Sequence, residues 1–210
     1  MPSPTSQPTL SSRSHSRIEA ILNFWFGDPK SADYGQYRQD WFVKSLDFDQ
    51  AIRQHFLGDY EQAAAGQLNH WQETSRSSVA LLLLLDQFPR NLFRGQPRSF
   101  ATDPQARALS HYLVSTGQDR SLIPAQRFFV YVPFEHSEAI ADQDRCVELM
   151  QNLVDTVPDL DKGLKSGLDY ALRHREVIRR FGRFPHRNEI LGRQNTPEEI
   201  EFLQQPGSRF

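Results

Sequence analysis

Cysteine, methionine and long apolar runs are all scarce in this 210-residue chain, and each scarcity excludes something. With Cys146 alone no internal disulfide can form, which fits a reducing compartment and leads us to expect a cytoplasmic protein. Its neighbours Val147, Leu149 and Met150 make Cys146 a small core residue rather than a nucleophile. The longest apolar run, Val79 to Leu85, falls far short of the ~20 residues a membrane span needs. No apolar stretch near the start reads as a signal peptide. Charge of one sign is also lacking. The 24 Lys and Arg nearly balance 26 Asp and Glu, so no global field invites nucleic acid or an anionic membrane.

Catalytic signatures are missing too. There is no Gly-x-Ser-x-Gly, no P-loop and no Gly-x-Gly-x-x-Gly, so no cofactor is read from the chain. His-x-x-His, Glu-x-x-His and Cys-x-x-Cys spacings are absent, and no metal is expected.

What is there is helix. Residues 1–16, with six Ser, three Pro and no acid, read as a disordered tail, and 17–210 as a single domain. Ile18, Ile21, Leu22 and Trp25 lie on one helical face. Asp47 and Gln50 have capping-box spacing, and Gly58 should end the helix they open. Another should run from Asp59 to about Trp71. Ser77 caps a helix apolar all round, hence central, which Pro89 should stop. Asp103-Pro104 opens a helix reaching Gly117. Pro124 starts a short helix, and Pro133 a longer one to about Val154. Asp161 to Phe181 follows, ended by Gly182, and Thr196 to Glu199 is a capping box for the last helix. The expected fold is all-α, with eight or nine helices in antiparallel hairpins.

One echo runs through the chain. Phe88-Pro89-Arg90-Asn91 recurs as Phe184-Pro185-His186-Arg187-Asn188, each followed shortly by Gly and Arg. Two related corners are expected.

These corners, with Asn23 to Gly27 and Phe134 to Glu138, form a set of motifs in fixed order. The chain resembles the domain-of-unknown-function family 924 from about Ile18 to Phe210, with Val132 where a Met commonly stands. That resemblance implies an all-helical, tetratricopeptide-like right-handed array. It implies no activity and no catalytic residue.

Site candidates therefore come from side-chain chemistry. Asp86 follows five leucines, so it should be carried inward, and a buried carboxylate needs partners. Arg90 and Asn91 stand beside it. In the segment opened by Arg127, Glu135, Glu138 and Asp142 would share a helical face, and His136 would share one with Gln143. Carboxylates beside histidine suit acid–base work, though acids in a first helical turn are also simply favoured there.

The last corner interleaves Arg179, Arg183, Arg187 and Arg193 with aromatics, beside His186 and Asn188. These arginines either lock the last helices onto the bundle or line a pocket for a carboxylate or phosphate, which a guanidinium binds bidentately. We expect Asp86 to meet an arginine or histidine of Arg179 to Arg193, so that the corners share a site. Two functions stay open: a pocket for a small anionic ligand, with or without catalysis, and a non-catalytic adaptor holding a peptide or protein in a groove.

Overall fold

Caps set most of the helix starts. A computed structural model describes residues 11–208, which hold helices and turns and, among these residues, no strand. Helix α1 (Ser12–Phe26) begins where Ser11 accepts the Ser14 amide, inside the segment expected to be a tail. Residues 1–10, where the rest of that expectation falls, lie outside the described residues.

Helix α2 (Leu46–Ala64) is capped by Ser45, not Asp47. It runs through Gly58, so the two expected helices are one. A glycine costs a helix about 1 kcal/mol. Burial of Phe56, Tyr60 and Ala63 on both sides of Gly58 outweighs that. A short 3₁₀ turn, Asn69–Glu73, follows.

Helix α3 (Ser75–Leu82) is capped by Thr74, with Ser77 already inside. A π-helical turn, Leu83–Gln87, leads without a break into α4 (Phe88–Leu92). Pro89 therefore does not stop the rod. Proline has no N–H for the carbonyl four residues back. That carbonyl, on Leu85, instead accepts the Thr102 hydroxyl at 2.6 Å. The rod is the fully buried centre expected from its leucines: Val79 to Leu84 are 0% exposed.

Helix α5 is Asp103–Ser115. Helix α6 (Pro124–Glu135) passes through Pro133 and ends two residues later, and α7 is Ile140–Thr156. The expected longer helix from Pro133 is thus broken at 136–139. Gln143, fully buried on α7, closes the break: its Nε2 donates to the carbonyls of Glu135 and Ser137, both at 2.6 Å. These are groups a helix end otherwise leaves unsatisfied. Helix α8 (Lys162–Phe181) ends at Gly182, whose φ of 68° is left-handed as expected. Helix α9 (Pro197–Leu203) carries the Thr196–Glu199 capping box.

Consecutive helices pack on each other from α5 to α8, while α1 packs on α3 and α2 on α4. The arrangement is compatible with a tetratricopeptide-like one. One large core joins α1 through α8, and a small one gathers Val177, Ile178 and Phe184 under the last corner. No helix among the described residues is long and apolar enough to cross a membrane.

Candidate functional site

A cavity of about 680 Å³ opens between α4, α6, α8, the segment 37–44 and the last corner. Its lining is divided by chemistry. Tyr37, Phe42 and Tyr170 are exposed aromatics, and Phe128 lies under them. Deeper are Arg90, Glu135, His136, His174, His186 and Arg187. Two glycines of α8 give the room. A Cβ on Gly163 would lie 2.1 Å from Tyr37, and one on Gly167 2.2 Å from Phe128. A smaller hollow of about 440 Å³ beside α1 and α2 carries the Arg17–Asp59 pair, whose arginine is only partly buried.

Asp86 is 0% exposed and sits behind the cavity. Its Oδ1 is 2.8 Å from His136 Nδ1 and 3.5 Å from Arg90, and its Oδ2 accepts Gln87 Nε2 at 2.5 Å. Burial alone would raise this carboxyl, but His136 and Arg90 outweigh it and hold the group below the usual carboxylate range. An ionised carboxylate carries no hydrogen, so His136 Nδ1 must be the donor. Burial and Arg90 lower the His136 pKa against the pull of Asp86, which raises it; in the neutral ring that donates Nδ1–H to Asp86 the bare nitrogen is Nε2. Among the described residues none bonds to Nε2, and His136 lines the cavity.

Glu135, the preceding residue, also lines the cavity. Burial and the Asp86 charge push its carboxyl up to about 8, so at neutral pH it keeps its proton. Its Oε1 is 3.3 Å from His174 Nδ1. That contact is not an ion pair. Burial lowers His174 to about 3, and its Nδ1 also faces the Tyr170 carbonyl at 2.8 Å. Two neutral groups meet there.

Arg90 grips Asp103 with both terminal nitrogens at 3.1 Å, and Arg187 Nη1 is 3.6 Å from the same carboxylate. Both guanidiniums lie over the Phe100 ring, at 5.9 and 4.7 Å. Burial and Arg90 lower Arg187 to about 10, which leaves it charged. Arg187 Nε is buried and has no hydrogen-bond partner among the described residues. The cavity walls carry five cations, including Lys44, Arg94 and Arg173, against Asp40 and the protonated Glu135. Asp86 and Asp103, which balance the inner arginines, lie behind the wall.

The two corners thus meet, but not as expected. Asp86 is held by His136 and Arg90, and Arg187 joins the cluster through Asp103. Glu135, Glu138 and Asp142 do not share a face, because the chain breaks at 136–139. Glu138 receives Arg193 at 2.8 and 2.9 Å and the Phe184 amide at 2.8 Å. Asp142 accepts the Ser137 hydroxyl at 2.6 Å.

Other candidates stand elsewhere. Asn91 lines the cavity and donates to Asp49 at 2.7 Å. Arg127 turns to Tyr131, Gln143 closes α6, and Arg179 meets Asp144 on the surface. Arg183 pairs with Glu199, which also accepts from fully buried Asn188. Arg183 thus locks the last helix. Cys146 is buried, and burial pushes its thiol well up, as a core residue's should be. Sequence reasoning missed Asp103, Phe100 and the Gly163/Gly167 pair; only the i, i+4 spacing of the glycines was a signal. Among the described residues no three His, Cys, Asp or Glu converge as a metal set.

The chain matches, over residues 21–207, the profile of a family described as bacterial protein of unknown function, DUF924. Among curated proteins none matches. Among solved structures it is similar to a protein of unknown function, ATU0120, from Agrobacterium tumefaciens. The two share 39% identity and a TM-score of 0.78, covering 92% of this chain and 99% of that one. The chain belongs to the DUF924 family.

Proposed function

We propose that this DUF924 protein binds a small organic anion in the cavity, with the carboxylate or phosphate held by Arg90 and Arg187. One observation carries the reading: Arg187 is nearly buried, lines the cavity, and keeps a buried Nε with no hydrogen-bond partner among the described residues. A charged group so placed is costly unless something completes its hydrogen bonding. The neighbouring acids do not, since Asp103 is already shared with Arg90. A planar guanidinium supplies the two parallel donors an oxyanion accepts.

The adaptor reading has its own support in Tyr37, Phe42, Val43 and Leu46, which expose apolar surface along one segment. The first three line the same cavity as the buried polar cluster, which favours one ligand reaching both.

Calorimetric titration with benzoate, acetate and inorganic phosphate tests the proposal. Saturable binding of at least one anion is expected, weakened tenfold or more in Arg187→Met, about 1.4 kcal/mol. Melting should hold or rise in that variant, because Arg187 and Arg90 repel. The absence of binding by every anion, or binding indifferent to Arg187→Met, sinks the proposal.

A further inference from the structure

We infer that the cavity catalyses proton transfer at carbon, with His136 as general base and Glu135 as proton donor, on an anion that carries an aromatic or other apolar body. The inference rests on the anion-pocket reading and adds a reaction to it.

The base is built by geometry. The 2.8 Å contact between Asp86 and His136 Nδ1 fixes the ring and its tautomer, the ring lines the cavity, and among the described residues nothing bonds to Nε2. Asp86 touches no ligand; it is a positioning residue. The donor is the adjacent Glu135. A carboxylic acid kept neutral by its surroundings donates a hydrogen bond or a proton to a developing oxyanion. The groups facing the pair are Asp86, Arg90, Asp103, Cys146, His174, His186 and Arg187.

Nucleophilic catalysis is not served by this lining. The cavity's two serines spend their hydroxyl hydrogens on backbone carbonyls: Ser99 on Gln96 at 2.7 Å and Ser166 on Gly163 at 2.6 Å. Neither is hydrogen-bonded to His136, as an activated nucleophile would be. A base, an acid and an anion clamp remain, which is the equipment of enolisation.

The apolar body follows from the rest of the wall. Tyr37, Phe42, Phe128, Val132, Tyr170 and Ile190 line the space around the polar depth. A ligand with its carboxylate on the arginines puts its remaining carbons against these side chains.

The step balances without a co-reactant. His136 Nε2 takes a proton from the carbon next to a carbonyl, and the C–H pair becomes the C=C bond. The carbonyl π pair moves onto oxygen, which takes the Glu135 proton. Release of the enol, with the His136 proton passed through solvent back to Glu135, completes a tautomerisation; return of a deuteron to carbon, with the oxygen's proton going back to Glu135, completes exchange.

Phenylpyruvate is the matching probe: carboxylate, adjacent ketone, acidic methylene and phenyl ring. Exchange of its methylene hydrogens in heavy water is followed by proton NMR across a pH series, with binding measured calorimetrically on the same protein. The wild type should accelerate exchange, with a rate that rises as His136 loses its proton and falls as Glu135 ionises. His136→Asn keeps an amide donor for Asp86 but has no base, and should lose about 10²–10⁴-fold in kcat. Asp86→Asn should lower kcat at constant KM and shift the rising limb, which a merely structural residue would not do. Glu135→Gln should abolish the falling limb. Arg187→Met should raise KM.

Exchange no faster than in buffer, or equally fast in folded His136→Asn, overturns the inference. If phenylpyruvate still binds in an Arg187-dependent way, the anion pocket survives that failure. If phenylpyruvate does not bind while benzoate, acetate or phosphate does, only this inference falls; if none of them binds, both readings fall.

Discussion

Replacing Glu135 with glutamine isolates one proton. Glu135 is buried with only 10% of its side chain exposed, and its carboxyl is pushed from 4.5 to about 8, chiefly by burial and then by Asp86. The sign follows from linkage. Below pH 4.5 the folded and unfolded chains both carry the proton. Between 4.5 and about 8 the unfolded chain has lost it and the folded chain keeps it. Stability therefore falls as pH rises through this window, by up to about 1.4 kcal/mol per pH unit, and levels off above it. The whole shift corresponds to about 5 kcal/mol, and the relaxation of real interiors makes about 2–5 kcal/mol the expected range. The glutamine amide keeps the shape, cannot ionise, and still offers an oxygen to His174. The variant should match the wild type at low pH and exceed it by that margin above about pH 8. His174 and His186, whose pKa values burial lowers to about 3 and about 4, give a wild-type slope of opposite sign as pH rises to 6.5. They act alike in both proteins and cancel in the difference. Urea unfolding at a series of pH values reads it, with equal m-values as the check on two-state behaviour. A difference independent of pH, or one that favours the wild type as pH rises, refutes a neutral buried Glu135.

Three further substitutions test the frame around the site. Gly167→Ala drives a Cβ to 2.2 Å from the Phe128 ring and should cost about 1–3 kcal/mol while narrowing the cavity, read by melting and by benzoate titration. Glu199→Gln removes the charge that holds Arg183 at 2.7 and 2.8 Å and caps α9; a loss of about 2–3 kcal/mol and earlier proteolysis near Arg193 are expected. Leu84→Ala opens the centre of the buried rod, where the residue is 0% exposed, and should cost about 3–5 kcal/mol in denaturant unfolding.

Local chemistry made much of this fold legible. The Thr196–Glu199 box, the left-handed Gly182 and the all-round apolar rod are written in adjacent residues, and they stand where the spacing put them. The errors share a cause. Pro89 and Pro133 read as boundaries because a proline forfeits a backbone bond, yet the Leu85 carbonyl is satisfied by Thr102, a partner from another element. Gly58 read as an end, yet its neighbours' burial carries the helix on. Long-range compensation of this kind leaves no trace in a local window. The site divides the same way. Asp86, His186, Arg187 and Asn188 stood out as polar groups in apolar company; Asp86 and Arg187 do belong to one cluster, through Arg90 and Asp103, while Asn188 turns to Glu199. Which arginine serves the cavity was not legible, because Arg183 and Arg193 differ from Arg187 only in the acids that face them, Glu199, Glu138 and Asp103.

The π turn explains how a leucine run can end in a buried charged cluster. In a regular α-helix neighbouring side chains point about 100° apart, and residues i and i+1 do not face each other. Between Leu83 and Gln87 the turn is wider: the Phe88 amide reaches the Leu83 carbonyl, five residues back. All five side chains of this turn are buried, and Gln87 bends onto its neighbour Asp86 at 2.5 Å. That contact satisfies Oδ2 from within the turn and reserves Oδ1 for His136 and Arg90. The extra residue also rotates α4 against α3 by about 100°, one residue's worth of helix. Arg90 then lies between Asp86 and Asp103 instead of continuing the apolar face of the rod. The same insertion that carries a carboxylate into the core thus brings its counterion, and π turns recur at functional sites for this reason: they hold side chains where an unbroken helix could not.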